Sequence, residues 1–93
     1  MGRVRFEWEE KRNRQNQEEH KVSFGLAQYA FTDLHRIIAE GVSRIQAEKR
    51  YYCFGKIGDQ ITTIRFFYRK TRIRIIGAGY WRKGREIYEK GQR

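Results

Sequence analysis

The sequence predicts an α+β fold: an antiparallel sheet of about four strands, two N-terminal helices packed on one face, and a short C-terminal helix. Three observations predict this class. Helix-forming residues without a breaker fill positions 9–20. From position 48 onward, apolar residues alternate with polar ones, and two turn signals divide that segment into strands. The chain has 93 residues, enough for a single domain spanning 1–93 with one core.

The first third of the chain predicts one short strand and two helices. Apolar and charged residues alternate over 4–8, as in a strand with one buried face. Residues 9–20 are polar nearly all round, which predicts an exposed helix anchored by Trp8. Ser23 is suited to cap a second helix over about 24–32, where apolar residues recur at helical spacing.

Two hairpins are predicted in the second half, after a candidate strand at 36–39. Gly58–Asp59 is suited to a two-residue turn, and it would pair Cys53 with Ile64. A second turn at Lys70–Thr71 would continue the sheet into a third strand of this unit. Strand geometry places alternate side chains on opposite faces, so these registers sort the residues into two sets.

One set is apolar and is expected to pack on the helices. Its members are Tyr51, Cys53, Ile64, Phe66, Tyr68, Ile73 and Ile75. The other set is rich in arginine and aromatic residues. Its members are Arg50, Tyr52, Phe54, Phe67, Arg65, Arg69, Arg72 and Arg74. Phe54, Phe67 and Ile76 indicate that part of this second face is covered. The last strand is expected to end at Gly77–Gly79, and a helix around Ile87 and Tyr88 is expected to end just before Gly91.

The positive charge is concentrated in the second half of the chain. The net charge is +10, yet residues 1–47 carry eight Lys and Arg against seven Asp and Glu. Ile61 to Arg85 contains eight cations and no acidic residue, with aromatics between them. Such a cluster predicts an anionic partner: nucleic acid, an anionic membrane or an acidic protein.

Membrane and secretory roles are disfavoured by the sequence. No apolar run reaches the roughly 18 residues of a spanning helix, and no signal-peptide pattern opens the chain. The single cysteine, Cys53, cannot form an internal disulfide and suits a reducing cytoplasm. His20, His35 and Cys53 lack metal-ligand spacing, so neither a metal nor another cofactor is expected. His20 instead fits the C-terminal end of a helix.

Among anionic partners, the arginine-rich face favours RNA. Like charges facing each other across strands cost roughly 0.2–1 kcal/mol per pair, and bound phosphate would reverse that cost. Aromatic side chains stack on splayed single-stranded bases for roughly 1–3 kcal/mol each, which favours RNA over duplex DNA. The alternative is that these arginines form only the solvated face of a sheet.

Several blocks of the sequence resemble a known family. These are Phe6-Glu7-Trp8, Lys11, Asn16, His20, Val22-Ser23-Phe24, Glu48-x-Arg50, Gly55, Ile73-Arg74-Ile75-Ile76 with Ala78, and Glu86 to Glu89. In order and spacing they resemble the BrnT toxins. The resemblance implies a RelE-like fold and a ribonuclease that blocks translation. It also implies a hetero-oligomer with a cognate antitoxin of the ribbon-helix-helix, DNA-binding type.

The resemblance assigns roles to the basic face, because RelE-like toxins generally work with Arg, Lys and Tyr. The candidate catalytic residues are Glu48, Arg50, Arg65, Arg74 and Tyr80. The candidate RNA-binding residues are Tyr52, Arg69, Arg72, Trp81, Arg82 and Lys83. The three catalytic arginines are expected on the scissile and flanking phosphates, with Glu48 orienting Arg50 or acting as a base. Tyr52 or Tyr80 would stack on a base or donate a proton.

One departure from the family keeps a second interpretation open. Many members read Ser-Ala-Arg where this chain has Gly77-Ala78-Gly79. The alternative is therefore a non-catalytic module whose basic face binds RNA or an acidic segment of the antitoxin. A DNA-binding regulator ranks last, because no helix concentrates side chains that read bases.

Overall fold

A computed structural model describes residues 4–41 and 49–93 of the chain. Its elements are β1 (Arg5–Glu7), α1 (Glu10–His20), α2 (Phe24–Ala27), a 3₁₀ helix (Gln28–Thr32), β2 (Ile37–Gly41), β3 (Arg50–Ile57), β4 (Gln60–Arg69), β5 (Arg72–Gly79) and α3 (Arg82–Gly91). The strands form one sheet in the order β1-β5-β4-β3-β2. None of the helices among these residues has the length and apolar character needed to span a membrane.

The sheet is mixed and has five strands, so the expectation of an antiparallel sheet of about four strands was wrong. β1 pairs in parallel with β5, placing Arg5 beside Arg72 and Glu7 beside Arg74. The other neighbours are antiparallel. Alternation of apolar and polar residues, together with a short turn, can predict the pairing of two strands that follow each other in the chain. It cannot predict a parallel pairing between strands at opposite ends of the chain, such as β1 and β5.

Both predicted hairpins are confirmed with their registers. Cys53 pairs with Ile64 across the first turn, and Gly58 in that turn has φ 59°, the left-handed region that glycine adopts without strain. Phe66 pairs with Ile75 across the second turn, as predicted. The candidate strand at 36–39 is present as β2 at the edge beside β3, but it begins at Ile37 and continues to Gly41.

A β-bulge interrupts the second hairpin and changes which side chains face the core. Phe66 pairs with Ile75, but Arg65 pairs with Gly77, so Ile76 is an extra residue on β5. Because of this extra residue, Ala78 pairs with Ile64 and faces the core, where it is fully buried. It also leaves Gly77, which has no side chain, directly beside Arg65.

The core lies between one sheet face and the segment formed by α2 and the 3₁₀ helix. Its buried members are Val22, Phe24, Ala27, Ala30, Cys53, Ile64, Phe66, Ile73, Ile75 and Ala78. The second helix is capped as predicted, since the Leu26 N–H donates to Ser23 Oγ. It is a four-residue α-helix continued as 3₁₀, not one α-helix. Gly55 is required here because a Cβ would overlap the Ala30 carbonyl oxygen. Tyr68, expected in the core, is 53% exposed.

Helix α1 is held by two buried asparagines in addition to Trp8. Asn16 Nδ2 donates to the Val22 and Ala78 carbonyls at 2.8 and 2.9 Å, and Asn16 Oδ1 accepts from the Ala78 N–H at 3.2 Å. β1 pairs only with residues 72–74 of β5, so Ala78 has no β1 residue beside it. The Asn16 side chain makes the hydrogen bonds to Ala78 that a neighbouring strand would otherwise make. Asn13 Oδ1 accepts from the Phe24 N–H at 2.8 Å. Burial of polar side chains explains why an apolar stripe was not visible in this helix.

Helix α3 packs on the opposite face of the sheet. Gly84 lies so close to Thr63 and Phe54 that a Cβ there would overlap Thr63 Oγ1. Phe54 is buried beneath α3, which confirms the prediction that part of the arginine-rich face is covered. Tyr88 donates a 2.6 Å hydrogen bond to Asp33, which joins α3 to the segment before β2. The helix includes Gly91, one residue further than expected.

Candidate nucleic-acid interface

The sheet face opposite the core presents its arginines in rows set by strand register. The outermost row holds Arg69, Arg72 and Arg5. In the next row, Phe67 and Arg74 are paired and Glu7 follows on β1. The third row holds Tyr52, Arg65 and Gly77, and beyond it α3 covers the sheet. The predicted basic face is therefore open at the end far from α3.

Glu7 neutralises much of the first two rows. Its carboxylate accepts a 2.6 Å hydrogen bond from Arg74 and lies 3.5 Å from Arg72 and 3.8 Å from Arg69. The hydrogen bond from Arg74, with the neighbouring arginine charges, holds the pKa of Glu7 below its usual value. The sequence argument that no carboxylate lies among these arginines fails, because β1 supplies one from outside Ile61–Arg85.

Arg50 covers an aromatic ring on the same face. Its guanidinium carbon lies 4.6 Å from the centre of the Phe67 ring, a cation–π contact. This contact explains how Phe67, an apolar residue on the charged face, is partly shielded from water. It also places Arg50 beside the row that contains Arg74.

A cleft of about 410 Å³ lies at the third row, between the sheet and the end of α1. Its lining residues are Asn16, Glu19, His20, Tyr52, Arg65, Ile76, Gly77 and Trp81. Tyr52 and Arg65 are direct partners across β3 and β4. None of the ion pairs among residues 4–41 and 49–93 includes Arg65, in contrast to the arginines around Glu7. The cleft therefore holds a cation that remains available to an anion.

The last turn of α1 brings an imidazole and a carboxylate into this cleft. The His20 ring lies 4.9 Å from the Trp81 ring, measured between centres. His20 Nε2 is 3.7 Å from Glu19 Oε2. The sequence predicts His20 at the C-terminal end of a helix, and it does lie in the last turn of α1. Its place among the blocks that resemble the BrnT toxins is the sequence signal that singles it out.

The predicted site residues that the structure describes are distributed over four places. Arg65, Tyr52 and Trp81 meet in the cleft, while Arg50, Arg69, Arg72 and Arg74 lie on the same face outside it. Tyr80 and Arg82 line a separate cavity of about 220 Å³ with Asp59 and Gln60, and Trp81 borders both cavities. Lys83 is exposed in the first turn of α3. Glu48 lies outside the described residues.

The cleft has the groups needed for phosphodiester chemistry. Arg65 can form paired hydrogen bonds to phosphate oxygens, and His20 supplies an imidazole, the side chain most often used as a general acid or base. Trp81 and Tyr52 offer rings for bases. In the described parts of the chain, no group of three His, Cys, Asp or Glu side chains could hold a metal ion.

Comparison with known proteins identifies the family. A search of curated proteins finds no match. The family model described as "Ribonuclease toxin, BrnT, of type II toxin-antitoxin system" matches residues 8–84, most of the chain. That span includes His20, Tyr52, Arg65 and Trp81, the main residues of the cleft. The chain therefore belongs to the BrnT family of ribonuclease toxins of type II toxin–antitoxin systems.

Proposed function

We propose that this protein is a metal-independent endoribonuclease whose active site is the cleft between α1 and the sheet. The observation that carries the proposal is the convergence of Arg65, Tyr52 and His20 on one cleft. Family membership supports ribonuclease activity in general, and the cleft supplies a location for it. RNA carries its own nucleophile in the 2′-hydroxyl, so the protein needs to supply only orientation, charge and proton transfer.

In the proposed reaction, the 2′-oxygen attacks the adjacent phosphorus and the bond from phosphorus to the 5′-oxygen breaks. The products are a 2′,3′-cyclic phosphate and a free 5′-hydroxyl. His20, supported by the Glu19 carboxylate, accepts the 2′-hydroxyl proton. Arg65 binds the non-bridging oxygens as negative charge develops on them. Tyr52, beside Arg65, donates its phenolic proton to the leaving 5′-oxygen.

The surrounding arginines are proposed to guide the RNA backbone toward the cleft. Arg50 and Arg74 lie on the same face one row away, and Arg69 and Arg72 lie one row further. Cleavage of messenger RNA would inhibit translation. A cognate antitoxin of the ribbon-helix-helix type would neutralise the toxin in a hetero-oligomer, and the fold would be RelE-like, as the resemblance implied.

The second candidate is a module that binds RNA without cleaving it. One observation favours it: Glu7 already binds Arg74, the arginine assigned to a flanking phosphate. The Gly77–Gly79 segment adds no side chain that could act on the substrate. In this case the same face would hold RNA through charge and stacking alone.

The test uses purified toxin and a defined messenger RNA, with and without EDTA. Cleavage that survives EDTA and leaves cyclic phosphate ends supports the proposed nuclease. Cleavage abolished by EDTA and restored by a divalent cation would contradict metal independence. Binding without cleavage, at any salt concentration tested, would favour the second candidate.

A further inference from the structure

An apolar groove of about 400 Å³ crosses the core-side face of the sheet, on the opposite side from the basic face. It extends from β1 to β2 beside the 3₁₀ helix. Its lining residues are Val4, Phe6, Phe31, Thr32, Arg36, Ile38, Tyr68, Lys70, Thr71 and Ile73. No helix covers the groove among the described residues, since Val4 is 62%, Tyr68 53% and Ile38 42% exposed.

The groove is built on a cluster of packed aromatic rings. Phe31 lies 5.1 Å from Phe6 and 5.0 Å from Phe66, measured between ring centres. Tyr68 lies 5.0 Å from Tyr51 and 5.4 Å from Phe66. Rings fixed by such contacts lose little side-chain entropy on binding, and aromatic residues dominate the energetic centres of protein interfaces. A partly exposed surface of packed aromatic rings is typical of a protein-binding site.

The charged residues that line the groove indicate the chemistry of the ligand it would bind. Its charged lining residues are Arg36 and Lys70, and no carboxylate lines it among the described residues. The whole chain carries a net charge of +10, so a second copy would bring like charges together. Among the described residues, RNA would find two cations there, Arg36 and Lys70, whereas the opposite face offers several arginines. The complementary ligand is a protein segment with apolar anchors flanked by Asp or Glu.

We propose that this groove is the docking site for the antitoxin, through an apolar segment flanked by carboxylates. The inference rests on the partnership included in the proposed function, but it assigns that partner to the face opposite the RNA cleft. Tyr68 and Arg65, three positions apart on β4, lie on opposite faces of the sheet. The antitoxin is thus held through a surface that the RNA does not need.

The test measures binding of the cognate antitoxin to purified toxin variants by calorimetry. Ile38→Glu is expected to raise Kd at least tenfold, since it introduces a charge among apolar residues. Lys70→Glu, in an exposed turn, is expected to raise Kd at least threefold at low salt. Leu26→Glu is the control for the first variant, because Leu26 is 45% exposed on α2 outside the groove. Lys90→Glu, on α3, is the control for the second.

The inference is overturned if both groove variants bind the antitoxin like the wild type, or if the controls weaken binding equally. It is also overturned if Ile38→Glu lowers RNA affinity, or if toxin alone is a dimer that Ile38→Glu dissociates. Cleavage of RNA by each variant is measured separately. If the wild-type toxin cleaves no RNA but still binds the antitoxin through the groove, the proposed nuclease function is wrong and the docking inference is supported.

Discussion

Arg74 on β5 donates a 2.6 Å hydrogen bond to Glu7 on β1, which links the N-terminal strand to the basic face. Arg69 and Arg72 lie around the same carboxylate. Three cations on neighbouring strand positions repel each other unless an anion lies among them. Glu7 is that anion in the folded protein, and RNA phosphate would compete with it for the same arginines.

Glu7→Gln is expected to strengthen RNA binding and to weaken the fold. Removing the carboxylate frees Arg69, Arg72 and Arg74 for phosphate, so the dependence of log K on log salt should steepen by roughly 0.7 per added contact. Fluorescence anisotropy with a single-stranded RNA checks this. Glu89→Gln, which makes the same charge change on exposed α3, is the control. Equal affinities for the two variants would contradict the competition.

The stability difference between wild type and Glu7→Gln is expected to depend on pH. The pKa of Glu7 is lower in the folded than in the unfolded chain. Its contribution to stability is therefore present above the unfolded value near 4.5 and is lost as pH falls through the lowered folded value. Wild type and Glu7→Gln should differ in urea midpoint at pH 7 and converge at strongly acidic pH. A difference that persists unchanged in acid would show that another contact is responsible.

His20→Gln is expected to lower RNA cleavage by roughly 10²–10⁴-fold while leaving RNA affinity within about twofold. Glutamine keeps hydrogen-bonding capacity and similar size but cannot carry the proton. His35→Gln is the matched control, because His35 is exposed and its hydrogen bonds are made by backbone atoms. Single-turnover cleavage and equilibrium binding separate the two effects. A His20→Gln protein that cleaves within threefold of wild type would remove His20 from the mechanism.

Asn16→Ala is expected to destabilise the protein by at least about 2 kcal/mol. The substitution leaves the Val22 and Ala78 backbone groups without their partner, and each buried orphan costs roughly 1–3 kcal/mol. The change is measured as a shift in urea midpoint. Gln15→Ala, on an exposed position of the same helix, should stay within about 0.5 kcal/mol of wild type. A small effect of Asn16→Ala would mean that water replaces the amide.

The wild-type protein is expected to lose stability at high pH through ionisation of Tyr88, and Tyr88→Phe is expected to lack this loss. The hydrogen bond to Asp33, together with burial, raises the pKa of Tyr88 from its ordinary value of 10.0 to about 12. The folded state therefore keeps the phenolic proton that the unfolded state releases, and stability falls as pH rises between these two values. The difference in unfolding free energy between wild type and Tyr88→Phe should shrink over that window. A constant difference would contradict the hydrogen bond.

Local features of the sequence were sufficient for the hairpins and for the sorting of their faces. The turn at Gly58–Asp59 fixes one register, and the apolar alternation around it permits no one-residue slip without exposing Ile64 and Phe66. The cap at Ser23 was also predictable, because capping depends on residues within one helical turn. For the same reason, the arginines could be assigned to one face from the sequence.

The cleft was less accessible to sequence reasoning. Arg65, Tyr52 and Trp81 were predicted, but His20 and Glu19 reach them only because α1 lies along the part of β5 beyond β1. Asn16 holds that arrangement through polar contacts, which leave no periodic signal. The bulge at Ile76 also depends on the pairing of β5 with β4.

The sequence by itself determined the hairpins, the basic face and the resemblance to BrnT toxins, since each depends on spacing, turns or composition along a short segment. Only the tertiary structure decided that Glu7 lies among the arginines and that His20 enters the cleft of Arg65. Both relationships join residues more than forty positions apart. Their energies are set by packing and charge in the assembled fold, and no local pattern encodes them.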